Sequence, residues 1–125
     1  MKARFLIMDI QVSAVSQLPI YEQIKQQLRE QILDGTLPSG TQLPSIRMLA
    51  RELKIGVITS KRAYDDLVAE GLLVTQAGKG IYVAELQQDF VLSLQQTQLK
   101  ERIEELIDFA AGLQVEKSQL IHMIK

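Results

Sequence analysis

The chain has 125 residues, 46% of them hydrophobic and 23% charged, with a formal net charge of −1. That is the composition of an ordinary globular protein, long enough for one compact domain and a small appendage. There is no cysteine and His122 is the single histidine, which excludes disulfides, thiolate chemistry and any multi-histidine metal centre.

The longest apolar run near the start, Phe5 to Met8, is too short for a signal-peptide core or a membrane span. A cytoplasmic location and no membrane partner are therefore expected. Charge is spread unevenly. Residues 19–84 hold eight basic and seven acidic side chains, whereas residues 85–125 hold four basic and seven acidic. A surface for nucleic acid must then come from the placement of a few cations and not from bulk charge.

Residues 1–18 show only a trace of alternation, Phe5, Ile7, Ile10 and Val12 among polar neighbours, and read as an N-terminal arm with one short strand. Pro19 is a helix-start signal. Ile20, Ile24, Leu28 and Ile32 follow at four-residue steps to Asp34, with Gly35 as the stop. Leu37 to Thr41 is a loop. Ser45 is placed as the N-cap of a second helix that presents Ile46, Leu49, Ala50 and Leu53 on one side.

A tight break at Lys54-Ile55-Gly56-Val57 leads to a third helix, with Ala63, Tyr64, Leu67 and Val68 at helical spacing and Gly71 as its end. Helix, short turn, helix is the helix-turn-helix unit. Leu73-Val74-Thr75 and Ile81-Tyr82-Val83, separated by Gln76 to Gly80, read as a β-hairpin. The order predicts a fold that is mainly α with a small β-hairpin: a winged helix-turn-helix over residues 19–84.

From residue 85 to 125 the pattern is helical again, broken at Gly112 into two helices. Phe90 and Leu94 precede a stripe of Leu99, Ile103, Leu106, Ile107 and Ala110. A helix of this length overhangs a small domain, and a second copy of the chain is the simplest partner for its apolar face. These residues form the candidate dimer interface. The charged residues between them, Lys100 with Glu104 for example, read as a solvated face with i,i+4 pairs.

Several segments in this order resemble the DNA-binding domain of the GntR family: Pro19-Ile20-Tyr21-Glu22-Gln23-Ile24, Leu43-Pro44-Ser45-Ile46-Arg47, Arg62-Ala63-Tyr64, Glu70-Gly71-Leu72-Leu73 and Gly78-Lys79-Gly80-Ile81-Tyr82-Val83. The short two-helix tail resembles the YtrA-type subfamily, in which such a tail dimerises the protein. The resemblance implies a sequence-specific transcription regulator, a repressor, acting as a homodimer on double-stranded DNA with a palindromic operator. It also implies that Arg47 contacts DNA.

Thr59, Ser60 and Lys61 open the recognition helix, whose first turn faces the bases in a major-groove docking. Arg62 lies further round, set either for DNA or for pairing with Asp65 or Asp66. Gly78 and Lys79 make the wing tip, where a small residue lets backbone N–H groups approach a phosphate and the lysine adds charge. Tyr64 has the spacing of a core residue and not of a base-stacking platform.

The sequence departs from the family pattern at Gly56-Val57-Ile58, where polar residues and an arginine are usual. Val57 and Ile58 offer no side-chain hydrogen bond, and the contact open to them is with thymine methyl groups. Met48 stands where a glutamate often completes a capping box with Ser45, and Ile81 stands where a threonine is usual. The competing reading is a winged-helix protein-interaction module that does not bind DNA. No catalytic residue, metal site or cofactor is expected, because no phosphate-binding glycine motif or convergent acid–base set is present. No small-molecule effector is expected either.

Overall fold

The computed structural model describes residues 2–4 and 8–124. The chain forms two compact units, Met1–Leu86 and Gln87–Lys125.

In the first unit, helix α1 spans Ile20–Leu33 and buries Ile24, Leu28 and Ile32, the predicted stripe. Helix α2 spans Ile46–Leu53. The Ser45 hydroxyl caps it, accepting the Met48 N–H at 3.1 Å, which satisfies one of the backbone donors that every helix start leaves open. Leu49, Ala50 and Leu53 are buried. Lys54 then turns through the left-handed region at φ 56°, and helix α3 spans Val57–Ala69.

The third helix thus starts before Thr59. Gly56 is extended, and its carbonyl takes the first helical hydrogen bond from Ser60 N at 3.2 Å. Val57 and Ile58 consequently belong to the first turn and not to the break. Ala63, Tyr64 and Leu67 are buried, so the core role expected of Tyr64 is the one it has.

Strands β3 (Leu73–Gln76) and β4 (Gly80–Val83) pair antiparallel with Leu73 opposite Val83 and Gln76 opposite Gly80. The other edge of β4 is also occupied. Val83 N donates to Thr41 O and Leu43 N to Ile81 O, each at 2.9 Å, and Gln42 bridges to Tyr82. The loop ahead of α2 therefore serves as a third strand of the wing.

The N-terminal arm, expected to hold one short strand, holds two. Strands β1 (Lys2–Arg4) and β2 (Asp9–Gln11) form an antiparallel hairpin, and Met8, Ile10 and Val12 are buried. The expected alternation at Phe5 and Ile7 lies outside the described residues. Polar contacts to α1 add to this burial. Gln27 of α1 accepts the Gln11 N–H at 2.9 Å and donates to the Gln11 carbonyl at 2.6 Å. Gln31 donates to Asp9 O at 2.9 Å, and Gln23 both accepts from Ser13 N and donates to Ser13 O.

Three glutamines one helical turn apart thus meet alternate residues of an extended segment, supplying the backbone partners that a neighbouring strand would otherwise give. A cluster of charges ties α1 to α3. Arg29 reaches Glu70 at 2.6 Å, and Lys25 lies 3.3 Å from both Glu22 and Asp66. Partial burial works against the Lys25 ammonium, but the hydrogen bonds and charges of Asp66 and Glu22 outweigh it and hold its pKa above the ordinary value.

In the second unit, α4 (Gln88–Gly112) has 25 residues and a length of roughly 38 Å at the helical rise. Leu113 and Val115 donate to the Ala110 carbonyl at 2.9 and 2.8 Å, and Gln114 at φ 62° completes the turn into α5, Lys117–Ile124. Arg102 pairs with Glu105 at 3.4 Å on the solvated face. Among the described residues no helix is long and apolar enough to cross a membrane.

Candidate nucleic-acid interface

Three segments carry the residues expected to meet DNA: the start of α2, the first turns of α3 and the β3–β4 tip. Two hydrogen bonds tie them together. The buried Tyr64 hydroxyl of α3 donates to the Pro44 carbonyl at 2.8 Å, immediately ahead of the Ser45 cap. Burial pushes the Tyr64 phenol well above its usual range, so it remains a donor. On the other side, Gln42 Nε2 donates to Lys79 O at 3.0 Å, joining the strand before α2 to the wing tip.

Arg47 is exposed on α2. Its planar guanidinium suits bidentate contacts with phosphate or base edges. Lys61 is also exposed, and its ammonium lies 2.5 Å from Asp65 one turn on. An exposed pair of this kind is worth no more than about 1 kcal/mol, so a phosphate competes for Lys61 without a large penalty. Thr59 is half-buried.

One of the expected contacts is corrected, and another residue has a partner inside the chain. Ser60 is fully buried and its hydroxyl donates to the Gly56 carbonyl at 3.2 Å, which turns the side chain into the protein and away from any groove. Arg62 is exposed and its guanidinium stacks 3.7 Å above the Tyr21 ring of α1, a cation–π contact in place of the ion pair with Asp65 or Asp66.

The wing tip is built for close approach. Gly78 and Gly80 take positive φ of 73° and 121°, and a Cβ on Gly80 would sit 2.9 Å from Gln42 Nε2. The Lys79 carbonyl accepts from both Gln42 and the Tyr82 hydroxyl, the latter at 3.2 Å, and its side chain is exposed. Gln42 and Tyr82 were not foreseen as parts of this site. The Tyr82 spacing signals only a strand, and Gln42 acts across a loop whose path no local pattern gives.

In the second unit, Leu99, Ile103 and Leu106 are exposed, as is Phe90, while Leu94 and Ile107 are half-buried. Ala110 is the exception: it is covered within the single chain. Phe109, 66% exposed, and Leu113 extend the apolar face beyond the predicted residues. Among the described residues no group of three or more acidic or histidine side chains could hold a metal ion.

A helix-turn-helix whose second helix is followed by a β-wing defines a winged-helix DNA-binding protein. Comparison with known proteins gives its family. Residues 20–83 match the bacterial regulatory proteins of the gntR family. The chain is 38% identical over 110 residues to the HTH-type transcriptional repressor YtrA of Bacillus subtilis, covering 86% of this chain and 85% of that protein.

In structure it is similar to a GntR family transcriptional regulator from Listeria monocytogenes, with a TM-score of 0.73 and 29% identity over 87% of this chain and 95% of the other. It is also similar to the AraR DNA-binding domain solved in complex with an operator, with a TM-score of 0.53 and 28% identity over 60% of this chain and 93% of the other. The chain belongs to the GntR family and is a DNA-binding transcription regulator.

Proposed function

We propose that the protein is a homodimeric repressor that pairs through α4 and α5 and places two winged helices on a palindromic operator. The observation that carries the dimer is the exposed apolar face of α4, where Leu99, Ile103, Leu106 and Phe109 fall three or four residues apart and all remain open in the single chain. A contiguous apolar face of that extent needs cover, and a two-fold interface supplies it from the same residues on a second copy. Repression is supported by the name of the Bacillus subtilis relative, a transcriptional repressor.

On each half-site Arg47, Thr59, Lys61, Gly78 and Lys79 make the contacts. Arg47 and Lys79 act on phosphate or base edges and Thr59 and Lys61 sit at the groove. The reading includes no cofactor and no small-molecule effector.

The test is operator binding by mobility shift, on a duplex selected from random DNA by the full-length protein. Arg47→Ala and Lys61→Ala should each weaken binding by about a hundredfold, because the dimer loses one charge-assisted contact of ~1.5 kcal/mol, about tenfold, in each of its two half-sites, without altering the oligomeric state. Unchanged titrations for both variants would remove these residues from the interface.

A further inference from the structure

The outward face of the recognition helix has an unusual chemistry. Val57 is 49% exposed and Ile58 is 85% exposed, and both lie in the first turn of α3, the part of a recognition helix that meets base edges. Single exposed aliphatic residues are common on protein surfaces. Here two are adjacent, and of the four polar residues that follow them Thr59 is half-buried and the other three have partners inside the chain. Ser60 bonds to Gly56, Lys61 lies against Asp65 and Arg62 stacks on Tyr21. The first turn therefore presents mainly carbon where DNA is read.

We propose that Ile58, with Val57 beside it, determines specificity by covering the 5-methyl group of thymine in the major groove. The inference rests on the DNA-bound dimer described above and adds the chemistry of its base recognition. In the major groove, thymine differs from cytosine by its methyl group and by O4 in place of an amino group. An aliphatic side chain rewards the methyl and leaves the amino group of cytosine without a partner. The open space around Gly56, where an added Cβ would meet nothing within 4 Å, leaves the helix start free to approach the bases closely. The same contact accepts the methyl of 5-methylcytosine, which stands at the equivalent place on its ring.

The experiment uses the full-length protein and its selected duplex, resynthesised with deoxyuridine replacing one thymidine at a time, which deletes a methyl and nothing else. At one thymine in each half-site, uracil should weaken binding about fourfold, the effect of one buried methyl group. Ile58→Ala, at a side chain so exposed that folding is not at stake, should bring the thymine-to-uracil ratio at that position close to one. A cytosine placed there should bind better when 5-methylated.

If the protein enriches no sequence from the random pool, the proposed function falls, and this inference with it. If it enriches a site but binds thymine and uracil duplexes equally at every position, only the inference falls. A thymine-to-uracil preference that persists in both Ile58→Ala and Val57→Ala would equally overturn the assignment to these residues.

Discussion

Replacing Tyr64 by phenylalanine isolates one hydrogen bond that holds the DNA-binding geometry together. The ring is buried and its hydroxyl donates to Pro44 O at 2.8 Å. Tyr64→Phe keeps the packing, removes the donor and leaves the carbonyl without that partner. A neutral hydrogen bond contributes about 1 kcal/mol, and an orphaned polar group raises the cost toward 2 kcal/mol. For a unit of this size each 1 kcal/mol lowers the melting temperature by about 4–8 °C.

Urea unfolding followed by circular dichroism reads the change. A midpoint equal to that of the wild type would refute the reasoning, because it would mean that the hydroxyl gains nothing over its bonds to water. The pH profile adds a second readout. The folded phenol titrates above its ordinary value near 10, so below that value both states are protonated and the contribution is fully present. Above it the unfolded phenol ionises first and stability falls as pH rises. The alkaline loss of stability should therefore be shallower in Tyr64→Phe than in the wild type.

Ile103→Glu introduces a charge into the exposed face of α4 and should convert the dimer to a monomer in light scattering; a persistent dimer would place the interface elsewhere. Gly80→Ala forces an alanine to φ 121° and against Gln42 Nε2, at a cost of about 1–2 kcal/mol; it should weaken operator binding, and an unaffected titration would show that the wing makes no contact. Gln27→Ala removes both hydrogen bonds to the Gln11 backbone and should speed amide exchange at Gln11, whereas unchanged exchange would mean that Met8, Ile10 and Val12 hold the hairpin alone.

The helices of the DNA-binding domain were legible in the sequence because their causes are local. Ile24, Leu28 and Ile32 recur with the helical period and Ser45 stands ahead of its apolar run. The N-terminal hairpin was not legible, because its anchors on α1 are glutamines. Gln23, Gln27 and Gln31 recur with the same period, but a polar stripe reads as solvated until the strand beside it is known. Ser60 could have been placed correctly: it lies on the face of Ala63, Tyr64 and Leu67, and a serine there satisfies its hydroxyl on the preceding turn. The stacking of Arg62 on Tyr21 depends on how α1 crosses α3, which no spacing within either helix encodes. The same holds for Gln42, which reaches Lys79 across 37 residues.

The arrangement of charge bears on how such a protein selects a site. Each winged helix offers Arg47, Arg51, Lys54 and Lys79 as exposed cations outside the ion pairs, of which Arg47 and Lys79 are assigned to DNA, while Lys61 must exchange Asp65 for a phosphate and Arg62 stacks on Tyr21. Each phosphate neutralised contributes about 0.9 to the slope of log affinity against log salt, so a domain with eight basic and seven acidic side chains, few of the cations assigned to DNA, has a shallow slope and weak attraction to DNA of arbitrary sequence. Asp65, beside Lys61, opposes that attraction further. Affinity in the proposed dimer then has to come from two half-sites engaged together, because tethering makes the second contact intramolecular. An interface variant that separates the protomers should therefore abolish operator binding at concentrations where the dimer saturates it, even with Arg47, Lys61 and the wing intact.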